Sequence, residues 1–104
     1  MKKYTLYIGL LDAKLRTQLF SNDEAIYIIQ QIILKYAGGA TMSESTGIYT
    51  HDDGGIVFEP TIKIEIIFTE KEKIHCIAQE AREIFNQESI LIEEIDCNST
   101  YFKG

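Results

Sequence analysis

The sequence predicts an α+β protein in which one four-stranded antiparallel sheet carries two helices on a single face. Three observations lead to this fold class. Two segments repeat apolar residues at helical spacing, each after a polar capping sequence. The segments around them alternate apolar and polar residues, which is typical of half-buried strands. Between the helices, residues 40–69 predict a long hairpin whose polar turn ends in two glycines.

Alternation predicts the first strand over residues 4–11. Gly9 lies inside this strand, and a glycine there is typical of a bulge or of a close approach by another backbone. A polar connection follows over residues 12–20. It holds Lys14 and Arg16, a small basic pair in an acidic chain, for which a solvated loop and an anion contact are both open interpretations.

The first helix is predicted to begin after Ser21, since Ser21 and Glu24 form a capping-box sequence. Isoleucines at helical spacing then form a broad apolar stripe as far as about Ala37. Gly38 and Gly39 are expected to end the helix, because glycine adopts the left-handed cap conformation without strain.

The hairpin is predicted as strands over residues 41–50 and 56–69, joined by the turn His51–Gly55. The first strand is rich in Ser, Thr and Glu, which suits the edge of a sheet. Pro60 cannot donate to a strand ladder, so we expect it where the hairpin extends past the sheet or at a bulge. The histidine and two aspartates of the turn are potential metal ligands, but consecutive turn residues diverge, which favours a plain turn.

The second half of the chain repeats the pattern of the first. Thr69 and Glu72 predict another capping box, and the helix that follows runs to about Asn86. A last strand is predicted over residues 89–95, and a tail over residues 96–104.

The order strand, helix, strand, strand, helix, strand favours the split βαβ, or ferredoxin-like, sandwich. Its first and third strands lie at the centre of the sheet. We therefore expect one domain over residues 1–95, followed by the tail. The sheet face away from the helices is predicted to be open and to carry Thr5, Tyr7, Gly9, Tyr49, Lys63, Glu65 and Ile67.

Composition limits the classes of function. The 104 residues include 10 Lys and Arg against 16 Asp and Glu, a net charge of −6, which argues against direct nucleic-acid binding. No apolar run is long enough to span a membrane and no secretion signal is evident, so a cytoplasmic location is predicted. Cys76 and Cys97 are then expected to be reduced core thiols.

No residue pattern in the chain predicts catalysis. The carboxylates of Glu44, Glu59 and Glu65 lack a partner that would argue for an acid–base pair. The sequence also shows no motif for a metal or a cofactor. It therefore favours a non-enzymatic binding protein without a cofactor over an enzyme.

Several motifs resemble those of a family. They are Tyr7–Leu10, Gly39–Thr41, Thr46–Tyr49, Glu59–Glu65 and Asn86–Ile90. Together they resemble a group of small uncharacterised proteins of Gram-positive bacteria and their phages, over about residues 4 to 95. The resemblance implies the ferredoxin-like fold. Its phage association implies a role against host defence, through a blocked defence protein or a sequestered nucleotide signal.

Two hypotheses follow for the function. In the first, the protein binds or sequesters a small phosphorylated or nucleotide ligand, such as a host immune signal. Aromatic rings would stack on a base, basic side chains would meet phosphate, and hydroxyls would add hydrogen bonds. The candidate ligand-binding residues are Tyr7, Lys14, Arg16, Thr41, Thr46, Tyr49 and Lys63.

In the second hypothesis, an acidic surface imitates the charge of DNA and blocks a basic groove of a host nucleic-acid-binding protein, as an anti-CRISPR or other anti-defence inhibitor would. The open sheet face and polar edges also predict a homodimer or a larger homo-oligomer. The candidate partner-binding residues are Glu44, Asp52, Asp53, Glu59, Glu93 and Glu94.

Overall fold

The observed elements follow the predicted order. The computed structural model describes all 104 residues, Met1–Gly104. The elements are β1 (Lys2–Gly9), α1 (Asn22–Tyr36), β2 (Thr41–Thr50), β3 (Ile56–Ile67), α2 (Lys71–Ile84) and β4 (Leu91–Asp96). No helix of the protein is both long enough and apolar enough to cross a membrane.

The sheet confirms the predicted fold class. Its strand order is β2-β3-β1-β4, and every neighbouring pair is antiparallel. The central strands β1 and β3 present alternate residues to the helices, as the period of two requires. The core between sheet and helices is built mainly from fully buried branched side chains, namely Leu6, Ile8, Ile29, Ile62, Ile64, Ile66, Ile74 and Ile77.

The two helices begin differently. At α1 the predicted capping box is present: Ser21 Oγ accepts from the Glu24 backbone N–H at 3.1 Å, and Glu24 Oε1 accepts from the Ser21 N–H. The capping box predicted at Thr69 is wrong. Glu70 is the N-cap residue of α2 and makes no side-chain cap hydrogen bond. The Thr69 hydroxyl instead donates to the carbonyl of Ile67 in the strand before it.

The left-handed cap predicted after α1 is also wrong. The helix ends at Tyr36, and Ala37 is already extended with φ −133° while its N–H donates to the Ile33 carbonyl. Extended backbone at Ala37 leads straight towards β2, so neither Gly38 nor Gly39 adopts a positive φ.

The hairpin turn takes the form expected of a plain turn. The His51 N–H donates to the Gly55 carbonyl at 2.7 Å, and the Gly54 N–H donates to the His51 carbonyl at 2.8 Å. Gly54 has φ +88°, a conformation that glycine adopts without strain. An Asp53 oxygen accepts from the Gly55 N–H, which completes the turn.

The hairpin extends past the central sheet as a two-stranded ribbon. β3 pairs with β1 only from Thr61 onwards, whereas residues 46–50 of β2 pair with residues 56–60 of β3. Pro60 stands where this ribbon begins, as the sequence predicted. Its carbonyl accepts from the Leu10 N–H at 2.9 Å, so its nitrogen also faces the side where β1 has ended, and no ladder bond to β2 is lost.

The cysteines do not lie in the core. Both thiols are free, but Cys76 is exposed on α2 and Cys97 is only half-buried beyond β4. The prediction of core thiols is therefore wrong. Cys76 follows His75 on the outer side of α2, while Ile74 and Ile77 of the same helix fill the core.

Candidate functional site

A groove of about 830 Å³ lies on the open face of the sheet. It is bounded by the projecting ribbon, the connection after β1 and the turn before β4. Its volume lies within the range of sites for small molecules. Glu59 and Tyr49 face this groove together with Tyr7 and Gly9, because the register of the three strands places them on the face opposite the helices.

The missing side chain of Gly9 makes room for the carboxylate of Glu59. A Cβ atom built on Gly9 would lie 2.4 Å from the carboxyl carbon of Glu59, which is far inside contact distance. Gly47, the register partner of Glu59 on β2, faces only the backbone oxygen and Cβ of Glu59. The carboxylate of Glu59 therefore extends from β3 across the sheet surface over Gly9.

Hydrogen bonds hold this carboxylate in position. Its Oε2 accepts from the Leu11 backbone N–H at 3.0 Å and lies 3.5 Å from Nε2 of Gln87. The same Gln87 amide donates to the Leu11 carbonyl at 2.6 Å. Gln87 thus connects the turn before β4 to the end of β1, and both segments fix the half-buried Glu59.

Tyr49 lies among the charges of the groove. Partial burial raises the pKa of its phenol most, and the negative charges of Glu59 and Glu88 raise it further. Arg16 acts in the opposite direction and lowers this pKa. The charges of Arg16, Glu59 and Glu88 therefore all reach the Tyr49 phenol, and all four residues line the same groove.

Tyr7 forms the β1 side of the same aromatic region. Its hydroxyl donates to Glu93 Oε1 at 2.9 Å, and this hydrogen bond is the main cause of a raised Tyr7 pKa, ahead of burial. The ammonium of Lys63 lies 6.0 Å from the centre of the Tyr7 ring.

Arg16 is brought to the groove by a tightly bonded connection. The backbone N–H groups of Lys14 and Leu15 donate to one oxygen of the buried Asp12 at 2.9 and 2.8 Å, and the Asn86 amide donates to the other at 2.9 Å. The Leu15 N–H and then the Asn86 side chain hold the pKa of Asp12 below its ordinary value. Within this connection Arg16 has φ +56°, which is uncommon outside glycine.

The structure brings together some of the predicted ligand-binding residues and separates others. Tyr7, Arg16, Thr46 and Tyr49 border the groove. The pairing of Thr46 with Pro60 nevertheless places the Thr46 side chain on the helix-facing side of the ribbon, away from Tyr49. Residues that lie outside its lining are Lys14, Thr41 and Lys63. Lys14 projects from the exposed part of the connection, and Thr41 lies at the far end of β2, where it pairs with Glu65.

The predicted partner-binding acids do not form one surface. Glu44 accepts from the Asn22 amide at the β2 edge, whereas Glu93 and Glu94 lie on β4 at the opposite edge of the sheet and accept from tyrosine hydroxyls. Asp52 and Asp53 are in the hairpin turn. Glu59, the sixth, is the groove carboxylate.

Sequence reasoning missed how the groove is built. It took Glu59 for a surface acid and did not include Leu11, Gln87 or Glu88 among the candidate site residues. The one available signal was Gly9, for which a close approach was predicted. The approach is present, but it is made by a carboxylate rather than by backbone. No group of three or more His, Cys, Asp or Glu side chains is arranged to hold a metal ion.

Comparison with solved structures relates the chain to small proteins of the same fold. A phage SAM lyase in complex with S-methyl-5'-thioadenosine superposes with a TM-score of 0.71 at 23% identity, over 91% of this chain and 80% of that chain. The lyase in its apo state gives a TM-score of 0.70 at 24% identity, over 90% and 78% of the two chains.

A third similar structure is the divalent ion tolerance protein CutA1 from Ehrlichia chaffeensis, with a TM-score of 0.58 at 18% identity, over 97% of this chain and 86% of that chain. No protein-family model matches the sequence, and no curated protein gives a significant match. At these identities the likeness shows the shared fold, and function has to be argued from the groove.

Proposed function

We propose that the protein binds S-adenosylmethionine in the Glu59 groove and cleaves it, with release of S-methyl-5'-thioadenosine. The observation that carries this proposal is the Glu59 carboxylate, which lies over Gly9 and accepts from two hydrogen-bond donors in a groove of ligand size. The phage SAM lyase with S-methyl-5'-thioadenosine, a protein of the same fold, supports the choice of ligand.

The charge of the groove favours a sulfonium over a phosphate. Its lining contains the carboxylates of Asp12, Glu59 and Glu88, but Arg16 is its only Lys or Arg. A phosphorylated ligand would add negative charge to a site that already holds an excess of it. A sulfonium ion is positive and gains from the same carboxylates. The groove therefore supports the nucleoside part of the sequence hypothesis more than its phosphate part.

Aromatic rings provide the place for the base. Tyr49 is partly buried in the groove, and Tyr7 faces the same space from β1. An adenine ring can stack on either phenol, and such stacking is worth about 1–3 kcal/mol per base in proteins that bind nucleic acid.

The cleavage needs no second reactant. When the bond between sulfur and the γ-carbon breaks, both electrons pass to sulfur, which becomes the neutral thioether of S-methyl-5'-thioadenosine. The γ-carbon is attacked by the carboxylate of the same molecule, and the new C–O bond closes homoserine lactone. Glu59 would hold the sulfonium end of the substrate, and the groove would fold the amino-acid tail for this attack.

The test is to incubate the purified protein with S-adenosylmethionine and to measure both products by liquid chromatography and mass spectrometry. We expect S-methyl-5'-thioadenosine and homoserine lactone in equal amounts. Glu59→Gln should reduce the rate at least 100-fold. Glu44→Gln, which removes an equal charge at the exposed β2 edge, should retain the wild-type rate. Unchanged substrate with wild-type protein would contradict cleavage.

Binding without cleavage is the second candidate, since the sequence hypothesis was sequestration. Calorimetric titration separates the two: a stoichiometric complex with intact S-adenosylmethionine would identify a sequestering protein. Removal of a small nucleoside compound by either route agrees with the anti-defence role that the family resemblance implies. The similarity in fold to a phage SAM lyase supports the phage association. The Gram-positive origin and the cytoplasmic location stay predictions.

The acidic-inhibitor hypothesis also stays a prediction, with less support. Imitation of DNA needs a continuous acidic surface. The candidate acids lie at two opposite sheet edges, in the hairpin turn and in the groove, and three of their side chains are engaged by Asn22, Tyr4 and Tyr7.

A further inference from the structure

We infer that Arg16 binds the carboxylate of an amino-acid tail on the ligand, so that the groove selects adenosine compounds that carry such a tail. The inference rests on the proposed function and makes it more specific. It concerns Arg16, the one Lys or Arg side chain among the residues that line the groove.

The first argument is that Arg16 forms no ion pair. The five ion pairs of the protein all use lysines, namely Lys2, Lys3, Lys35, Lys63 and Lys71. Arg16 has no carboxylate within ion-pair distance, although acidic side chains line the same groove. Its guanidinium is therefore free to take an anionic group of a ligand, and its planar donors match a carboxylate in two parallel hydrogen bonds.

The second argument is that the chain holds Arg16 in place at some cost. A positive φ at a residue other than glycine is strained and persists only where the surroundings enforce it. Here the Arg16 N–H donates to the Asp12 carbonyl at 2.7 Å, and the Asp12 N–H donates to the Thr17 carbonyl at 2.9 Å. These bonds close the connection around the buried Asp12 carboxylate. They hold Arg16 at the position where it lines the groove.

The third argument concerns the group that Arg16 does contact. Its Nη2 lies 2.9 Å from Nδ1 of His51, and the Asp52 backbone N–H donates to the same nitrogen. A guanidinium and a backbone N–H can only donate, so Nδ1 is the acceptor for both. His51 thus orients the guanidinium without neutralising its charge.

The fourth argument is the match between two opposite charges. Arg16, Glu59 and Tyr49 all line the same groove, so a positive group, a negative group and an aromatic ring face one space. An adenosyl sulfonium with an amino-acid tail carries a positive sulfur and, a few bonds away, a negative carboxylate. Glu59 and Arg16 would meet these two groups, while the aromatic ring lies against the nucleoside.

The test compares two stable thioethers by calorimetry. S-adenosylhomocysteine has the amino-acid tail, whereas S-methyl-5'-thioadenosine lacks it. With Arg16→Gln we expect the affinity for S-adenosylhomocysteine to fall about tenfold or more, since a charge-assisted hydrogen bond is lost. The affinity for S-methyl-5'-thioadenosine should stay within about twofold, which also shows that the groove remains folded.

Two further variants sharpen the test. Arg16→Lys keeps the charge but not the paired geometry, so its affinity for S-adenosylhomocysteine should fall between wild type and Arg16→Gln. Lys14→Gln removes an equal charge from the same connection outside the groove and should change neither affinity. Equal losses for both thioethers, or none, would overturn the role of Arg16. Failure of the wild-type protein to bind either thioether would overturn the proposed ligand itself.

Discussion

The carboxylate of Glu59 occupies the space that a side chain at Gly9 would fill, since a Cβ there would lie 2.4 Å from the Glu59 carboxyl carbon. Glycine weakens the interior of a strand, yet this one lies at the end of the central strand β1. The Glu59 carboxylate can take this position only because residue 9 is a glycine. Substitutions at either residue should therefore affect the groove.

Gly9→Ala is expected to displace the Glu59 carboxylate and to impair the groove. Overpacking of this kind costs about 1–3 kcal/mol of stability. Urea unfolding should detect that loss, and calorimetry with S-methyl-5'-thioadenosine should show weaker binding. Gly38→Ala is the matched control, because a Cβ there meets no atom within 4 Å and should leave both measurements close to wild type. Equal stability and equal binding affinity of the two variants would contradict the close approach of Glu59 to Gly9.

Gln87→Ala should reduce activity without a comparable loss of stability. The variant removes the amide that lies between the Leu11 carbonyl and the Glu59 carboxylate, so the acid loses part of its positioning. We expect KM for S-adenosylmethionine to rise and kcat/KM for cleavage to fall about tenfold, because the displaced carboxylate holds the sulfonium of the bound substrate less well. Gln79→Ala, which removes an exposed amide on α2, is the control. An unchanged kcat/KM would show that Leu11 alone fixes Glu59.

Asp12 predicts a component of the acid sensitivity of the fold. Its pKa is lowered mainly by the Leu15 N–H, so the folded state favours the ionised form. That contribution is complete above the unfolded-state pKa of about 4 and is lost as the pH falls through the lower folded-state pKa. Asp12→Asn should therefore flatten the fall of unfolding free energy as the pH drops below about 4.

Urea titrations across this pH range measure the effect. Other acids with lowered pKa values, such as Glu24 and Glu80, also destabilise the wild-type protein in acid, so the difference between variants is the informative quantity. Asp52→Asn removes an exposed carboxylate of the hairpin turn and should follow the wild-type slope. Parallel curves for Asp12→Asn and wild type would contradict the role assigned to Asp12.

The fold could be predicted because its signals are local. Alternation within β1 and β3, and helical spacing within α1 and α2, each repeat over enough residues to fix the type of element. The wrong predictions concern helix ends, where a single residue decides the conformation. They are the capping box at Thr69 and the left-handed cap at Gly38. At Thr69 the hydroxyl has a competing acceptor in the strand that precedes the helix. After α1, extended backbone at Ala37 makes a left-handed glycine unnecessary.

The groove could not be predicted, since it depends on contacts between distant segments. Glu59 approaches Gly9 only because Gly9 pairs with Thr61 in the β1–β3 register. Gln87 reaches Leu11 from 76 positions along the chain. Periodicity places a residue on a face but gives neither the register between strands nor the partner of a long side chain. For the same reason the sequence did not distinguish Arg16, in the groove, from Lys14 outside it.

The projecting ribbon predicts self-association. Ile48, Ile56 and Phe58 lie on the continuation of the helix-facing side of the sheet, past the end of the helices, and are 67, 68 and 62% exposed. Ile56 and Phe58 also border the groove, whereas Ile48 does not. A two-stranded ribbon is marginally stable on its own. Its free strand edges can pair with another chain, and closed homo-oligomers are common. We propose that a second copy of this chain covers the ribbon.

Native mass spectrometry at micromolar concentration should therefore give a defined multiple of the 11.9 kDa chain. Ile48→Asp, at an exposed ribbon position outside the groove lining, should shift the protein to the monomer, because a charge would be buried in the contact. Leu34→Asp replaces an equally exposed apolar residue on α1 and should keep the assembly. A monomeric wild-type protein would contradict the prediction that a second copy of this chain covers the ribbon. A multimer that persists in Ile48→Asp but dissociates in Leu34→Asp would place the contact on the helices instead.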